Sequence, residues 1–208
     1  MKSGTFRELL EARAAAAGVP IDPESLDKLQ TYFDLLSHWN KRINLTSLPL
    51  EPPTDHAVDR LFIEPLMAAP LVAPSVTVWF DLGSGGGSPA FPLQIVRPIE
   101  HLNLVESRER KAAFLREVIR ELGLAGGHVL TTRIEALAED AKNTGTADLV
   151  TVRAVRMSAP LFSQLDRLLK SGGQAVLFGA ASQKLDLPRG LDIQCIEPSL
   201  LVLRRSRS

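Results

Sequence analysis

Residues 81 to 89 read Asp81-Leu82-Gly83-Ser84-Gly85-Gly86-Gly87-Ser88-Pro89, a glycine cluster opened by a carboxylate. Gly83, Gly85 and Gly87 carry no Cβ, so the backbone there can turn sharply and approach a ligand closely. No Lys-Ser/Thr pair follows at the spacing of a triphosphate-cradling loop, which sets that chemistry aside. A dinucleotide loop calls for G-x-G-x-x-G and a bare helix N-terminus for the pyrophosphate. Here the third glycine comes one residue early, and Pro89 occupies the terminus. Asp81 with a compressed G-x-G-x-G suits a ligand with a cationic amino-acid end and no phosphate. S-adenosylmethionine (AdoMet) fits that description. Glu106 closes the next strand candidate, 21 residues after Gly85, where a carboxylate can hold both hydroxyls of a ribose.

Other reactive residue types are sparse. His38, His101 and His128 fall in helix or strand patterns and are expected to pack or to face solvent. No pair of residues has metal-ligand spacing, so no metal is expected. The single cysteine, Cys195, cannot form an internal disulfide and reads as a small buried hydrophobe. Lys and Arg number 24 against 24 Asp and Glu, so the formal charge is zero. A general nucleic-acid coat is thereby excluded, and any anionic partner must meet a local basic face. Candidates for that face are Lys41-Arg42, Arg60, Arg108 with Arg110-Lys111, Arg153 with Arg156, and Arg204-Arg205-Arg207.

These residues need a scaffold, and the chain supplies two textures. Up to about residue 72 it reads as helical. Phe6, Leu9 and Leu10 begin one short helix that ends at Gly18. Asp22-Pro23 opens a second, because the Asp side chain can accept from free N–H groups and Pro at the first position loses no hydrogen bond. Leu26, Leu29, Phe33, Leu36, Trp39 and Ile43 form its apolar stripe. Prolines at 49, 52 and 53 stop it, the apolar segment Val58 to Leu66 follows, and Pro70 and Pro74 mark a second break.

From about residue 73 strands and helices alternate. Strand candidates are Val76 to Phe80, His101 to Val105, His128 to Thr131, Asp148 to Val152 and Gln174 to Phe178. Helices are expected at Phe91 to Val96, from Arg108 with the face Leu115, Val118, Ile119 and Leu122, and at Ala159 to Lys170 with Gly172-Gly173 as its stop. Leu191 to Ile196 and Leu200 to Leu203 read as a closing hairpin. Such alternation implies a mainly parallel sheet covered by helices on both faces. The expected division is 1–72 as a helical cap and 73–208 as the ligand-binding α/β domain. Apolar stretches are too short for a membrane span, the N-terminus lacks a signal-peptide core, and the expected location is cytoplasmic.

Trp39-Asn40-Lys41-Arg42-Ile43-Asn44-Leu45-Thr46 resembles the W-N-x-x-x-N-L-T signature of the RsmG (GidB) family of bacterial 16S ribosomal RNA guanine-N7 methyltransferases. His56-x-x-Asp59, the Asp81 to Leu93 segment, Ile95-Val96-Arg97-Pro98, Glu106-Ser107, Arg110-Lys111-x-x-Phe114-Leu115, Arg133-x-Glu135 and Arg153-Ala154 continue the likeness. It runs in order from about residue 22 to 180. The resemblance implies a Rossmann-like class I AdoMet-dependent methyltransferase fold with an N-terminal helical extension. It implies cytoplasmic rRNA processing, with small-subunit rRNA or the ribosomal subunit as substrate and no obligate protein partner. It places Gly83 and Ser88 in the cofactor loop, Ile134-Glu135 around the adenine, and Arg153 in the cofactor and target pocket. Lys41, Arg42, Arg110, Lys111 and Arg156 are the expected RNA contacts. Guanine N7 has an in-plane lone pair and no hydrogen, so no acid/base pair is sought.

The chain departs from the family pattern at Arg60 (serine in the family), Ser88, Ala90, Phe178-Gly179 (Lys-Gly in the family) and Glu197-Pro198-Ser199, where a basic pair is usual. These departures lie more on the target side than on the cofactor side. Two other readings stay open on the sequence: a methyltransferase for another RNA site or a small molecule, and a non-catalytic AdoMet-binding module.

Overall fold

The computed structural model describes residues 5–179, 187, 189–197 and 199–206. Seven strands form one sheet in the order β3-β2-β1-β4-β5-β7-β6. They are β1 (Val78–Leu82), β2 (His101–Val105), β3 (Gly127–Leu130), β4 (Ala147–Arg153), β5 (Leu169–Phe178), β6 (Leu191–Glu197) and β7 (Leu200–Arg205). β1 to β5 run parallel, and β7 enters antiparallel between β5 and β6. The strand order therefore reverses between β1 and β4, the place where open α/β sheets leave a crevice beyond their C-terminal strand ends.

Successive strand side chains point to opposite faces, and the two hydrophobic clusters divide accordingly. Trp79, Leu102, Leu104, Leu149, Val176 and Phe178 belong to one cluster. It is shared with α1 (Phe6–Ala16), α2 (Pro23–Asn40), α5 (Ala90–Val96) and α6 (Glu109–Glu121). Phe80, Leu82, Val105, Val150, Val152, Ala175 and Leu177 belong to the other, under α7 (Ile134–Glu139) and α8 (Ala159–Leu168). The same alternation carries Asp81, Thr151 and Arg153 to the cap-facing side, at the ends of their strands.

The cap is knitted by aromatic packing and a few long-range polar contacts. Phe6 stacks on Phe33 with ring centroids 3.9 Å apart, and Tyr32 packs against Phe62 and Phe91. Arg13 on α1 grips Asp59 through Nε and Nη2, which accounts for the carboxylate of His56-x-x-Asp59. The apolar segment expected at 58–66 is helical: α3 (Asp55–Val58) runs through a π-helical stretch (Asp59–Ile63) into α4 (Glu64–Ala68). Pro65 has no N–H to give to the Leu61 carbonyl four residues earlier. That carbonyl accepts instead from the Ser88 hydroxyl, at 2.8 Å. A break in helical bonding thus becomes a tie between cap and glycine loop.

Three expectations need correction. The α2 stripe reaches Ile43, but the helix ends at Asn40, whose Oδ1 accepts from the N–H groups of Leu45 and Thr46. The helix expected to reach Lys170 stops at Leu168, and Gly172-Gly173 lies inside β5 rather than at a helix end. The cause is pairing: Leu169 already sits beside Ala147, and a bulge absorbs the extra residues before Gln174 pairs with Leu149. Gly173 is needed there, because a Cβ would come within 2.9 Å of the Ala147 carbonyl oxygen. Cys195 is half-buried against the cap-side cluster rather than fully buried. His38, His101 and His128 all face solvent.

Candidate functional site

A cavity of about 600 Å³ opens where the crevice rule places it, between the glycine loop and the cap. Its walls come from Gly83 to Gly86 and Ser88 after β1, Glu106 after β2, Ala154 and Val155 after β4, Arg108 and Lys111 at the start of α6, and the cap residues Asn44 to Leu48, His56 and Arg60.

The glycine loop is held by its own backbone. Gly83 and Ser84 donate to the Val105 carbonyl at 2.9 and 3.0 Å, and Gly87 donates to Ser84 O at 2.7 Å. Tyr32, fully buried on α2, donates its hydroxyl to Gly86 O at 2.6 Å. Gly87 adopts φ +86°, and a Cβ there would lie 2.3 Å from the Phe91 ring, so only glycine fits. Glu106 is buried, and its two oxygens accept from the N–H groups of Gly85 (3.0 Å) and Arg108 (2.8 Å). Each carboxylate oxygen has two lone pairs, so this grip on the loop leaves acceptor capacity facing the cavity. Lys111 reaches the loop as well, its Nζ lying 4.0 Å from where a Gly85 Cβ would be.

Asp81 sits behind this loop. It is 1 % exposed; Oδ1 accepts from the Thr151 hydroxyl at 2.5 Å, and Thr151 in turn accepts from the Trp79 indole at 2.8 Å. Oδ2 has no hydrogen-bond partner. Burial pushes the carboxyl up to about 6, against the opposing pull of Thr151, Ser84 and Arg153. A buried carboxylate with a free lone-pair edge is costly without a cation or donor. Asp81 and Glu106 beside bare glycine backbone make an acceptor set that suits hydroxyls and an ammonium group. That set fits the sulfonium nucleoside expected from the sequence.

The opposite wall is built from charged side chains. Glu64 on α4 accepts from Arg60 Nη1 through Oε1 (2.7 Å) and from Arg153 Nη1 through Oε2 (2.9 Å). Arg153 is nine-tenths buried and lies over the Phe178 ring, 4.7 Å from its centroid. Its Nε and Nη2 are buried without a partner. Burial pulls its basicity down, and Glu64 restores part of it. Ala154, the next residue, holds φ +57°, a left-handed conformation that is strained for a side-chain-bearing residue. The turn follows the end of β4, and Ala154 and Val155 there line the cavity.

The structure brings Gly83, Gly85, Ser88, Glu106, Lys111 and Arg153 to the cavity, with Asp81 and Gly87 immediately beneath the loop. Ile134 packs against the α7–α8 cluster and Glu135 faces solvent; neither lines the cavity. Lys41 pairs with Glu51 at 2.7 Å on the far side of α2. Arg42, Arg110 and Arg156 are exposed beyond the cavity wall. Arg204 and Arg205 engage Gln194 and Asp166 instead, while Arg207 and Pro198 lie outside the described residues. Sequence reasoning missed Tyr32 and Glu64. For Glu64 a signal existed, since it stands four residues after Arg60, the spacing of a helical ion pair. Among the described residues no cluster could hold a metal ion, and no helix is long and apolar enough to cross a membrane.

Comparison with known proteins follows the same lines. Residues 25–195 match a family model described as GidB, rRNA small subunit methyltransferase G. The ribosomal RNA small subunit methyltransferase G of Neisseria meningitidis (serogroup C, strain FAM18) is 37% identical over 169 residues, 80% of this chain and 76% of that protein. Its counterpart in Xanthomonas axonopodis pv. citri is 38% identical over 167 residues, 77% and 74% of the respective chains. Among solved structures, a SAM-dependent methyltransferase from Aquifex aeolicus superposes with a TM-score of 0.53 at 15% identity, covering 71% of this chain and 90% of that one. At that identity the likeness speaks for the fold.

Proposed function

The chain belongs to the rRNA small subunit methyltransferase G family, and from that premise we propose that it methylates N7 of a guanine in 16S rRNA, using AdoMet, in the cytoplasm. The observation that carries this reading is the cavity at the β1–β4 crossover. Glu106 and the glycine loop form one wall, with Asp81 buried directly behind it, and Arg60 and Arg153 stand on the facing wall. One wall suits a sulfonium nucleoside and the other an anionic polymer.

When bound, AdoMet supplies a methyl group already activated on sulfur. The chain's own residues then bind, orient and exclude water. Asp81 and the loop carbonyls would take the ammonium end, and Glu106, already braced by two N–H groups, would take the ribose hydroxyls. Ile134 and Glu135 would meet the adenine only where it extends past the cavity toward α7. Arg153, locked by Glu64 and Phe178, would form the floor under the incoming base. No side chain has to remove a proton, because N7 presents a lone pair. Catalysis then rests on alignment of nucleophile, methyl carbon and leaving sulfur, a contribution of about 7–11 kcal/mol when the geometry is held. A deep, narrow A-form groove hides N7, so the target guanine belongs in a loop or irregular region.

Isothermal titration of the full chain with AdoMet tests the donor half of the proposal. Saturable one-to-one binding is expected, and absence of heat at millimolar AdoMet would leave the glycine loop as a turn without a ligand.

A further inference from the structure

The cations on the cap-side wall are not equivalent. Arg153 is fixed: buried, stacked on Phe178 and held by Glu64. Arg60 is one-third exposed on the cavity wall and makes a single hydrogen bond, Nη1 to Glu64, among the described residues. One carboxylate therefore serves two guanidinium groups by direct ion pairing, with the buried Asp81 adding a longer-range attraction to Arg153. Arg60 also lies against the end of β5. A Cβ on Gly179 would come within 2.9 Å of its Nη2, and the φ of +76° there is itself a glycine conformation. The two departures noted at Arg60 and Phe178-Gly179 thus meet in space on either side of Arg153.

We propose that Arg60 is the contact for a phosphodiester of the RNA, the one on the 5′ side of the methylated guanine. This rests on the reading above. In an anti purine nucleotide the imidazole edge faces its own 5′ phosphate. A cavity that presents N7 to the methyl donor therefore holds that phosphate close by. On the glycine-loop side the cations Arg108 and Lys111 stand beside Glu106, whose charge opposes a phosphate there. The cap-side wall has an accessible guanidinium with Nε and Nη2 uncommitted, and a planar fork of that kind matches phosphate oxygens. Phosphate bound there gives Arg60 a partner of its own and leaves Glu64 to Arg153. Arg60 acts as a positioning residue: it fixes the nucleotide without touching the reacting atoms.

The test measures binding of the full chain to a single-stranded fragment of small-subunit rRNA over a series of salt concentrations, for wild type, Arg60→Ser and Arg60→Lys. Loss of one phosphate contact should flatten the slope of log K against log salt by about 0.7 and weaken low-salt binding by about three- to tenfold. Arg60→Lys should recover most of the slope, and AdoMet affinity should stay within about twofold in both variants. If Arg60→Ser folds poorly, Arg60→Gln replaces it. An unchanged slope in a folded neutral variant overturns the inference. So does a loss of AdoMet affinity with RNA binding intact, which would assign Arg60 to the donor side. Failure of the wild type to bind AdoMet or to methylate rRNA is a separate outcome and strikes the functional reading itself.

Discussion

The two walls of the cavity solve opposite problems. The glycine-loop wall is made of strand ends whose polar groups are nearly all satisfied from within: Gly83 and Ser84 on Val105, Tyr32 on Gly86, Glu106 on Gly85 and Arg108. It is stiff before any ligand arrives, as a site that orients a small molecule should be. The cap-side wall is made of side chains left short of partners, with Glu64 divided between Arg60 and Arg153 and two guanidinium nitrogens unserved. It is poised for an anion. On the proposed reading, small-molecule recognition is a matter of backbone shape, and polymer recognition a matter of charge.

The largest expected effect breaks the charged wall. Glu64→Ala strands a buried Arg153 without its counter-ion, and about 3–5 kcal/mol of stability should be lost in chemical denaturation. Adding Arg153→Met to that variant should return much of the stability but not RNA binding. On the other wall, Gly87→Ala forces a methyl group into the Phe91 ring at positive φ and should cost about 2–4 kcal/mol. Melting would then drop by several degrees, with AdoMet binding lost alongside. Glu106→Ala should weaken AdoMet by about 1–3 kcal/mol in titration calorimetry, through loss of charge-assisted hydrogen bonds; unchanged affinity would remove Glu106 from the site.

Asp81 gives the comparison a pH axis. Its folded value of about 6 stands above the ordinary 3.8, so the folded protein holds this proton more tightly than the unfolded chain. Its stabilising contribution is present below the unfolded value and is lost as pH rises through about 6. A cationic ligand needs the charged form. AdoMet affinity should therefore rise about tenfold per unit as pH climbs toward 6 and level off above it, while Asp81→Asn should bind more weakly with no such slope. The smallest effect belongs to neither wall. Lys41 pairs with Glu51 at an exposed position, and Lys41→Ala should shift melting by no more than about 1 °C and leave RNA binding intact. A clear loss of RNA binding would extend the charged surface around α2.

Much of the glycine-loop wall was legible in the sequence because local rules write it. Short runs of β-branched and other apolar residues marked the strands, and a cluster of glycines after a strand marked the loop, with Asp81 and Glu106 at strand ends. The cap-side wall was not legible in the same way. Glu64 meets Arg153 across 89 positions, and no local pattern announces such a pairing. The π-helical stretch at Asp59–Ile63 and the β5 bulge at Gly172-Gly173 arise from tertiary demands that override the local apolar pattern and the usual meaning of a Gly-Gly pair. Ile134 and Glu135, assigned to the adenine from resemblance, open a helix after β3 that the sequence reading did not anticipate, and they stand outside the cavity lining.

The account is tested most directly by transfer of labelled methyl from AdoMet into small-subunit rRNA prepared from cells lacking this gene, with the modified position then mapped. It predicts label at a single guanine, recovered as 7-methylguanine. No incorporation, or label on a ribose, a ring carbon or an exocyclic amine, would contradict it.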